Sequence, residues 1–92
     1  MLPLKLKPGT TVKNWTALKG YLGDEFTIVS VSDKAVEIDT PKAKHVQRVS
    51  RQDFEVTFDN WSAYCSAKLS RQELTEMTRY SKYTLSIIKY LQ

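Results

Sequence analysis

One helix-start signal occurs three times in the second half of this chain and constrains the fold more than any other feature. The three copies are Val49-Ser50 with Asp53-Phe54, Leu69-Ser70 with Glu73-Leu74, and Tyr80-Ser81 with Thr84-Leu85. In each copy the serine hydroxyl can accept from an unpaired N–H of the first helical turn, and the flanking apolar residues can pack together as a staple. An acid three residues after the serine can also reach back to the serine N–H. The pattern therefore predicts three short helices within residues 50–92.

The first of these helices has a competing interpretation, because Phe54, Val56 and Phe58 alternate as they would in a strand. The helical pattern extends further along the chain. Phe54, Phe58, Trp61 and Cys65 fall at spacings that place them on one apolar stripe of a helix. We therefore predict one continuous helix here, with Cys65 as a buried structural thiol. The second and third helices are predicted over residues 71–78 and 82–91.

The first half of the chain has the pattern of short strands. Stretches rich in valine, isoleucine, threonine and aromatic residues are bounded by glycine, proline and polar residues. The predicted strands are residues 10–15, 25–32, 35–40 and, with a weaker pattern, 44–49. The polar step Ser32-Asp33-Lys34 separates two of them and predicts a hairpin.

Together these elements predict a single domain of the α+β class, covering residues 1–92. A small antiparallel, SH3-like sheet of three or four strands in residues 1–49 packs on three helices in residues 50–92. With 41% apolar residues, the chain can bury a modest core without a metal or a disulfide. The predicted core comprises Trp15, Phe26, Ile28, Val36, Ile38, Phe54, Phe58, Trp61, Leu74, Leu85 and Ile88.

The cysteine content and the hydropathy of the sequence indicate the cellular compartment in which we expect the protein. Cys65 is the only cysteine, so it cannot form a disulfide within the chain. The start of the chain lacks the basic, apolar and small-residue sequence of a secretory leader, and no apolar run approaches the ~20 residues that span a bilayer. We expect a cytoplasmic protein that does not enter a membrane.

Residues 71–90 resemble the helix-turn-helix of the lac-repressor type, in which a short helix, a three-residue turn and a second capped helix follow one another. The positions that match are Leu74, Thr78, Tyr80, Ser81, Leu85 and Ile88. The run Thr84-Leu85-Ser86 also resembles the Thr-Val-Ser run of that family's recognition helix. The resemblance implies that the second helix places its first turns in the major groove of DNA.

On this mapping Lys82, Tyr83, Ser86 and Ile87 would face DNA, and Arg79 and Lys89 would lie near phosphates. A second basic segment would add phosphate contacts through Lys42, Lys44, Arg48 and Arg51. The nucleic-acid-binding residues expected from the sequence are therefore Arg79, Lys82, Tyr83, Ser86, Lys89, Lys42, Lys44, Arg48 and Arg51. The hypothesis is a small nucleic-acid-binding or accessory regulatory protein.

The alternative hypothesis is a protein-interaction module. Tyr83, Ile87 and Tyr90 form a second apolar stripe on the last predicted helix. A helix that is apolar on two sides is usually buried on two sides, in a core or against a partner. This stripe would let the protein associate with itself or dock another protein. More widely, residues 49–91 resemble short uncharacterised bacterial proteins of the kind carried on mobile gene cassettes, a resemblance that implies no activity.

No group of residues in the sequence indicates catalysis. His45 is the only histidine and has no cysteine or acid at metal-ligand spacing, so we expect a surface residue. Glu37 and Asp39 share a strand face beside Lys34, and this mixture of charges is typical of a solvated edge. The sequence therefore predicts no enzyme, no metal, no cofactor and no small-molecule substrate.

Overall fold

The computed structural model describes residues 6–41 and 44–92, in which four strands are followed by four helices. The strands are β1 (Thr11–Thr16), β2 (Gly20–Val31), β3 (Ala35–Asp39) and β4 (Gln47–Ser50). The helices are α1 (Arg51–Asp59), α2 (Trp61–Cys65), α3 (Arg71–Met77) and α4 (Ser81–Leu91). The predicted α+β class is confirmed, and the change from strands to helices falls at residue 50, as expected.

The sheet is an antiparallel meander in the order β1-β2-β3-β4, with β1 and β4 at its edges. The hairpin predicted between β2 and β3 is confirmed, with the Ser32 N–H donating to the Ala35 carbonyl at 2.9 Å. β2 begins at Gly20, five residues before the predicted start at residue 25, and its first half pairs with β1. The extra length of β2 makes a long β1–β2 hairpin that projects beyond the other two strands.

The main core lies between one face of the sheet and helices α1 and α4. It contains Leu6, Val12, Phe26, Ile28, Val36, Ile38, Val49, Phe54, Ile87 and Ile88. A smaller cluster of Tyr64, Leu74 and Leu85 lies under α2 and α3, with Trp15 and Trp61 packed against it. Most of the predicted core is therefore confirmed. Trp15 and Trp61 are half-buried, because they lie at the boundary of the smaller cluster.

The predicted capping boxes of α1 and α3 are confirmed. The Ser50 hydroxyl accepts from the Asp53 N–H at 3.2 Å, and the Asp53 carboxylate accepts from the Ser50 N–H at 3.0 Å. Ser70 and Glu73 make the same reciprocal pair, with both distances at 3.1 Å. These two helix starts follow from local chemistry alone.

The predicted cap of α4 is wrong. Ser81 is the first residue of that helix, and the residue before it, Tyr80, makes no side-chain capping bond. Ser81 is buried, and its hydroxyl is hydrogen-bonded to the Thr75 hydroxyl at 2.8 Å. The neighbouring α3 thus takes the serine oxygen that would otherwise cap α4.

The first predicted helix is broken at Asn60, which separates α1 from α2. The Asn60 side-chain amide donates to the Val56 carbonyl at 2.8 Å, a local bond that competes with continued helix. The break rotates Cys65 away from the predicted stripe, whereas Phe58 precedes the break and lies on the exposed side of α1. Phe58 is 57% exposed and Cys65 is also exposed, so both predictions of burial are wrong. Thr57 occupies the buried position, and its hydroxyl pairs with that of Thr84 at 2.7 Å.

Across the described part of the chain, no helix combines the length and the apolar character needed to cross a membrane.

Candidate functional site

The face of α4 predicted to contact DNA packs against the domain itself. Ser86 is 1% exposed and Ile87 is 0% exposed. The Ser86 hydroxyl accepts from the Trp15 N–H of β1 at 2.9 Å and donates to the Lys82 carbonyl at 2.8 Å. This burial contradicts the prediction that Ser86 contacts a nucleic acid. It also contradicts the prediction that Ile87 contacts DNA or a partner protein. Both sides of α4 are apolar because both are covered within the domain. Ile87 and Ile88 lie in the main core, and Leu85 lies in the smaller cluster with Tyr64 and Leu74.

Three other α4 residues predicted to contact a nucleic acid each contact another side chain of the domain. They are Lys82, Tyr83 and Lys89. The Lys82 ammonium lies 3.2 Å from an Asp24 carboxylate oxygen, and the Tyr83 ring meets Phe26 edge to face, with centroids 5.3 Å apart. The Lys89 ammonium lies 5.2 Å from the Trp15 ring centroid. Of the predicted interface of Tyr83, Ile87 and Tyr90, only Tyr90 is exposed, Tyr83 is half-buried and Ile87 is fully covered.

The turn between α3 and α4 consists of Thr78, Arg79 and Tyr80, so the predicted helix–turn–helix order is present. Arg79 is exposed, with its guanidinium carbon 5.6 Å from the Tyr80 ring centroid. The face that would enter a groove is nonetheless the face that packs on β1 and β2. Sequence spacing identified this helix pair but could not show which of its faces is covered.

The second basic segment lies on the opposite edge of the sheet, around β4. Lys44, Arg48 and Arg51 are exposed, as is His45, whose surface position is confirmed. Arg51 pairs with Glu55 at 3.0 Å, and Arg48 lies opposite Glu37 in the β3–β4 register. Lys42 lies outside the described residues. Arg51 is thus paired and Arg48 has an acid across the strand pair, while Lys44 has no ion pair among the described residues, a mixture that is typical of a solvated surface.

A cleft of about 520 Å³ opens between the tip of the β1–β2 hairpin and the segment that runs from α2 into α3. The hairpin wall consists of Thr16, Ala17, Leu18, Lys19 and Leu22. The facing wall consists of Tyr64, Cys65, Ala67, Leu69, Ser70 and Arg71. Its floor and sides are mostly apolar, and Leu18 at its rim is 91% exposed.

The hairpin wall is held in place by two hydrogen bonds and one glycine. The Ala17 N–H donates to the Tyr64 phenol oxygen at 3.1 Å, which joins the hairpin to α2. The Lys19 N–H donates to the Thr16 hydroxyl at 3.1 Å within the turn. Gly20 closes the turn with a φ of 74°, in the left-handed region that glycine adopts without strain. The tip therefore presents Leu18 to solvent from a hydrogen-bonded turn.

In the facing wall, α2 ends in a Schellman motif in which Ala67 is the left-handed residue. The Lys68 N–H donates to the Ala63 carbonyl at 2.9 Å, and the Ala67 N–H donates to the Tyr64 carbonyl at 3.2 Å. Ala67 has a φ of 64°, which makes it the one non-glycine in the left-handed region among residues 6–41 and 44–92. Glycine is the usual residue at this position, and an L-residue there is strained by about 1 kcal/mol. The strained residue lines the cleft.

Replacing Ala67 with glycine is expected to raise the free energy of unfolding, by up to about 1 kcal/mol, because the left-handed backbone is no longer strained. The greater flexibility of glycine in the unfolded chain offsets part of this gain. Urea unfolding followed by circular dichroism measures the difference. Ala17→Gly, on the opposite wall and without positive φ, is the matched control and should destabilise slightly. A loss of stability in Ala67→Gly would show that Ala67 is not in the left-handed region in solution.

Sequence reasoning missed this cleft, because its walls lie far apart in the chain. One signal was available. Leu18 is a large apolar residue beside Lys19-Gly20, a position at the end of a hairpin where burial within the same domain is difficult. The exposed Cys65 belongs to the same site, although its spacing to Trp61 indicated a buried thiol.

Comparisons with protein-family models, with curated proteins and with solved structures returned no match.

Proposed function

We propose that this domain is a non-catalytic protein-interaction module that holds an apolar segment of a partner protein in the cleft between the β1–β2 hairpin and the α2–α3 segment. The observation that carries the proposal is Leu18, which is 91% exposed at the rim of an apolar cleft of about 520 Å³. The volume lies within the range of about 300–1,000 Å³ that is typical of ligand sites.

The exposure of Leu18 is informative because the turn that carries it is hydrogen-bonded on both sides of Leu18, at Ala17 and at Lys19. A leucine side chain gains about 1.5–3 kcal/mol when it leaves water, so an exposed leucine beside a concave apolar surface favours association. Leu22 and Leu69 continue the apolar surface into the cleft. A partner that covered all three leucines would recover this energy.

A protein segment fits the cleft better than a small molecule does. Small ligands are usually enclosed, with most of their surface buried. Here the hairpin leaves Leu18 at 91% and Tyr21 at 61% exposure, so much of the apolar surface lies outside the concavity. An extended chain can fill the cleft and also cover the hairpin tip.

This proposal keeps the alternative hypothesis from the sequence, a protein-interaction module, but assigns the interaction to a different surface. The stripe of Tyr83, Ile87 and Tyr90 cannot serve, because Ile87 is in the main core. The recognition face proposed for DNA is unsuitable for the same reason, since Ser86 is hydrogen-bonded to β1. The cleft combines apolar surface with access from solvent.

Fluorescence anisotropy with labelled peptides tests the proposal. The probes are three short peptides in which leucine alternates with glutamate, with lysine or with serine. At least one leucine peptide should bind the wild-type protein, and Leu18→Ser should weaken that binding about tenfold or more, because a buried leucine contact is lost. Val46→Ser is the matched control, since Val46 is an exposed apolar residue outside the cleft. No binding by any leucine peptide, or equal weakening by both variants, would overturn the proposal.

A further inference from the structure

Both walls of the cleft come from stretches of the chain that contain no acid. Residues 10–23 carry lysines and no aspartate or glutamate, and the same is true of residues 60–72 with a lysine and an arginine. Two of these cations, Lys19 and Arg71, line the cleft from opposite walls. Lys68 lies between the lining residues Ala67 and Leu69. The fold thus joins two acid-free segments around one apolar cleft.

The cations at the cleft are not neutralised by ion pairs within the described residues. The ion pairs of residues 6–41 and 44–92 are Arg51 with Glu55 and Lys82 with Asp24, on other parts of the surface. Lys19, Lys68 and Arg71 are all exposed. The nearest acid in the chain after this wall is Glu73, whose carboxylate accepts from the Ser70 N–H at 3.1 Å in the capping box of α3.

We infer that the partner segment is acidic, with large apolar side chains flanked by aspartate or glutamate. This inference rests on the proposed function. Apolar side chains would fill the space beside Leu18 and Leu69, and carboxylates on either side would meet Lys19 and Arg71. An arginine can hold a carboxylate through two parallel hydrogen bonds, which fixes orientation as well as charge. The same cations would repel a basic segment, so charge selects the partner.

A nucleic acid is the other polyanion that such cations could bind, and the lining of the cleft disfavours it. Single strands bind where bases stack on exposed aromatic rings. Leu18, Leu22 and Leu69 are aliphatic, and the aromatic lining residue, Tyr64, is only 5% exposed. Tyr21 on the hairpin is exposed but does not line the cleft, so a single ring is available for stacking there. The nearby rings of Trp15 and Trp61 are occupied with each other, at 5.6 Å between centroids.

Charge reversal tests the inference with the same three leucine peptides, a single-stranded oligonucleotide and a duplex. At low salt the leucine–glutamate peptide should bind about tenfold or more tightly than the leucine–lysine peptide, and added salt should reduce the difference. Arg71→Glu should weaken the preference severalfold, because it removes one of the three cations and adds an anion, while Lys19 and Lys68 remain. This variant is expected to fold, because a glutamate in the first turn of α3 suits the helix N-terminus. Lys34→Glu, an exposed charge reversal in the β2–β3 turn, should leave the preference unchanged.

Two results would overturn the inference while leaving the proposed function intact. One is equal, Leu18-dependent binding of the acidic, basic and neutral leucine peptides. The other is full retention of the acidic preference in Arg71→Glu, or an equal loss of it in Arg71→Glu and Lys34→Glu. Binding of either oligonucleotide in place of the acidic peptide, with weakening by Arg71→Glu, would show that the cations serve a nucleic acid and would overturn both. Absence of binding by every leucine peptide would overturn the proposed function itself.

Discussion

Replacing Asp53 with alanine is expected to lower the free energy of unfolding by about 3 kcal/mol, because one carboxylate holds the beginning of α1 and the end of α3 together. One oxygen accepts from the N–H and the hydroxyl of Ser50, at 3.0 and 2.8 Å. The other accepts from the hydroxyl of Thr78, which is buried. The substitution removes the side-chain half of the capping box, although the Ser50 hydroxyl can still accept from the N–H of residue 53, and it leaves the Thr78 hydroxyl without this acceptor. Urea denaturation monitored by tryptophan fluorescence measures the loss.

Glu73→Ala is the matched control for this prediction. Glu73 occupies the same position of the capping box in α3, but it is exposed and has only the capping role. Its loss should cost about 1 kcal/mol, the usual contribution of a single hydrogen bond, because Ser70 remains as the N-cap. Equal losses in the two variants would show that the bond between Asp53 and Thr78 does not stabilise the packing of α3.

Replacing Ile87 with alanine is expected to destabilise the fold by about 3 kcal/mol, because Ile87 is fully buried in the main core and truncation leaves a cavity. Tyr90→Ala, on the same helix at an exposed position, should change the stability by less than about 0.5 kcal/mol. Thermal unfolding of the two variants beside the wild type separates these expectations.

This pair of variants also decides between a core and an interface role for α4. If Ile87 lay on a surface used for self-association, Ile87→Ala would change the oligomeric state while leaving the monomer as stable as the wild type. Light scattering on the same samples reports that outcome. A stable, monomeric Ile87→Ala protein would contradict the placement of Ile87 in the core.

Sequence reasoning succeeded where the determinants of structure are local. The capping boxes of Ser50 and Ser70 were predictable because each involves only residues three positions apart. The same motif at Ser81 was misleading, because its hydroxyl bonds with Thr75 on a different helix. A local signal is reliable when no neighbouring element competes for the same hydrogen-bonding group.

The break at Asn60 shows a second limit of periodicity. Phe54, Phe58, Trp61 and Cys65 match a helical stripe in sequence, yet Phe58 and Cys65 are exposed. Two short helices satisfy the core with Phe54, Thr57 and Tyr64 instead. A threonine at a buried site carries little hydrophobic signal, and its partner Thr84 lies on another helix, so the pair was not predictable from spacing.

The candidate site could not be predicted because it depends entirely on tertiary structure. Its two walls, residues 16–22 and 64–71, are joined by the hydrogen bond from Ala17 to Tyr64. Each wall alone is a short turn or helix end with no chemical motif. Their shared lack of acids gains meaning only when they face each other across one cleft.

The most direct test of the proposed docking site is an NMR titration of the isotope-labelled protein with the leucine–glutamate peptide. We predict that amide signals of Leu18, Cys65 and Leu69 shift progressively, and that those of Lys44 and Arg48 on the opposite edge of the sheet do not. Leu18→Ser should reduce the shifts at the facing wall, because binding itself is weakened. Shifts centred on α4 or β4, or no shifts at the cleft at saturating peptide, would contradict the account.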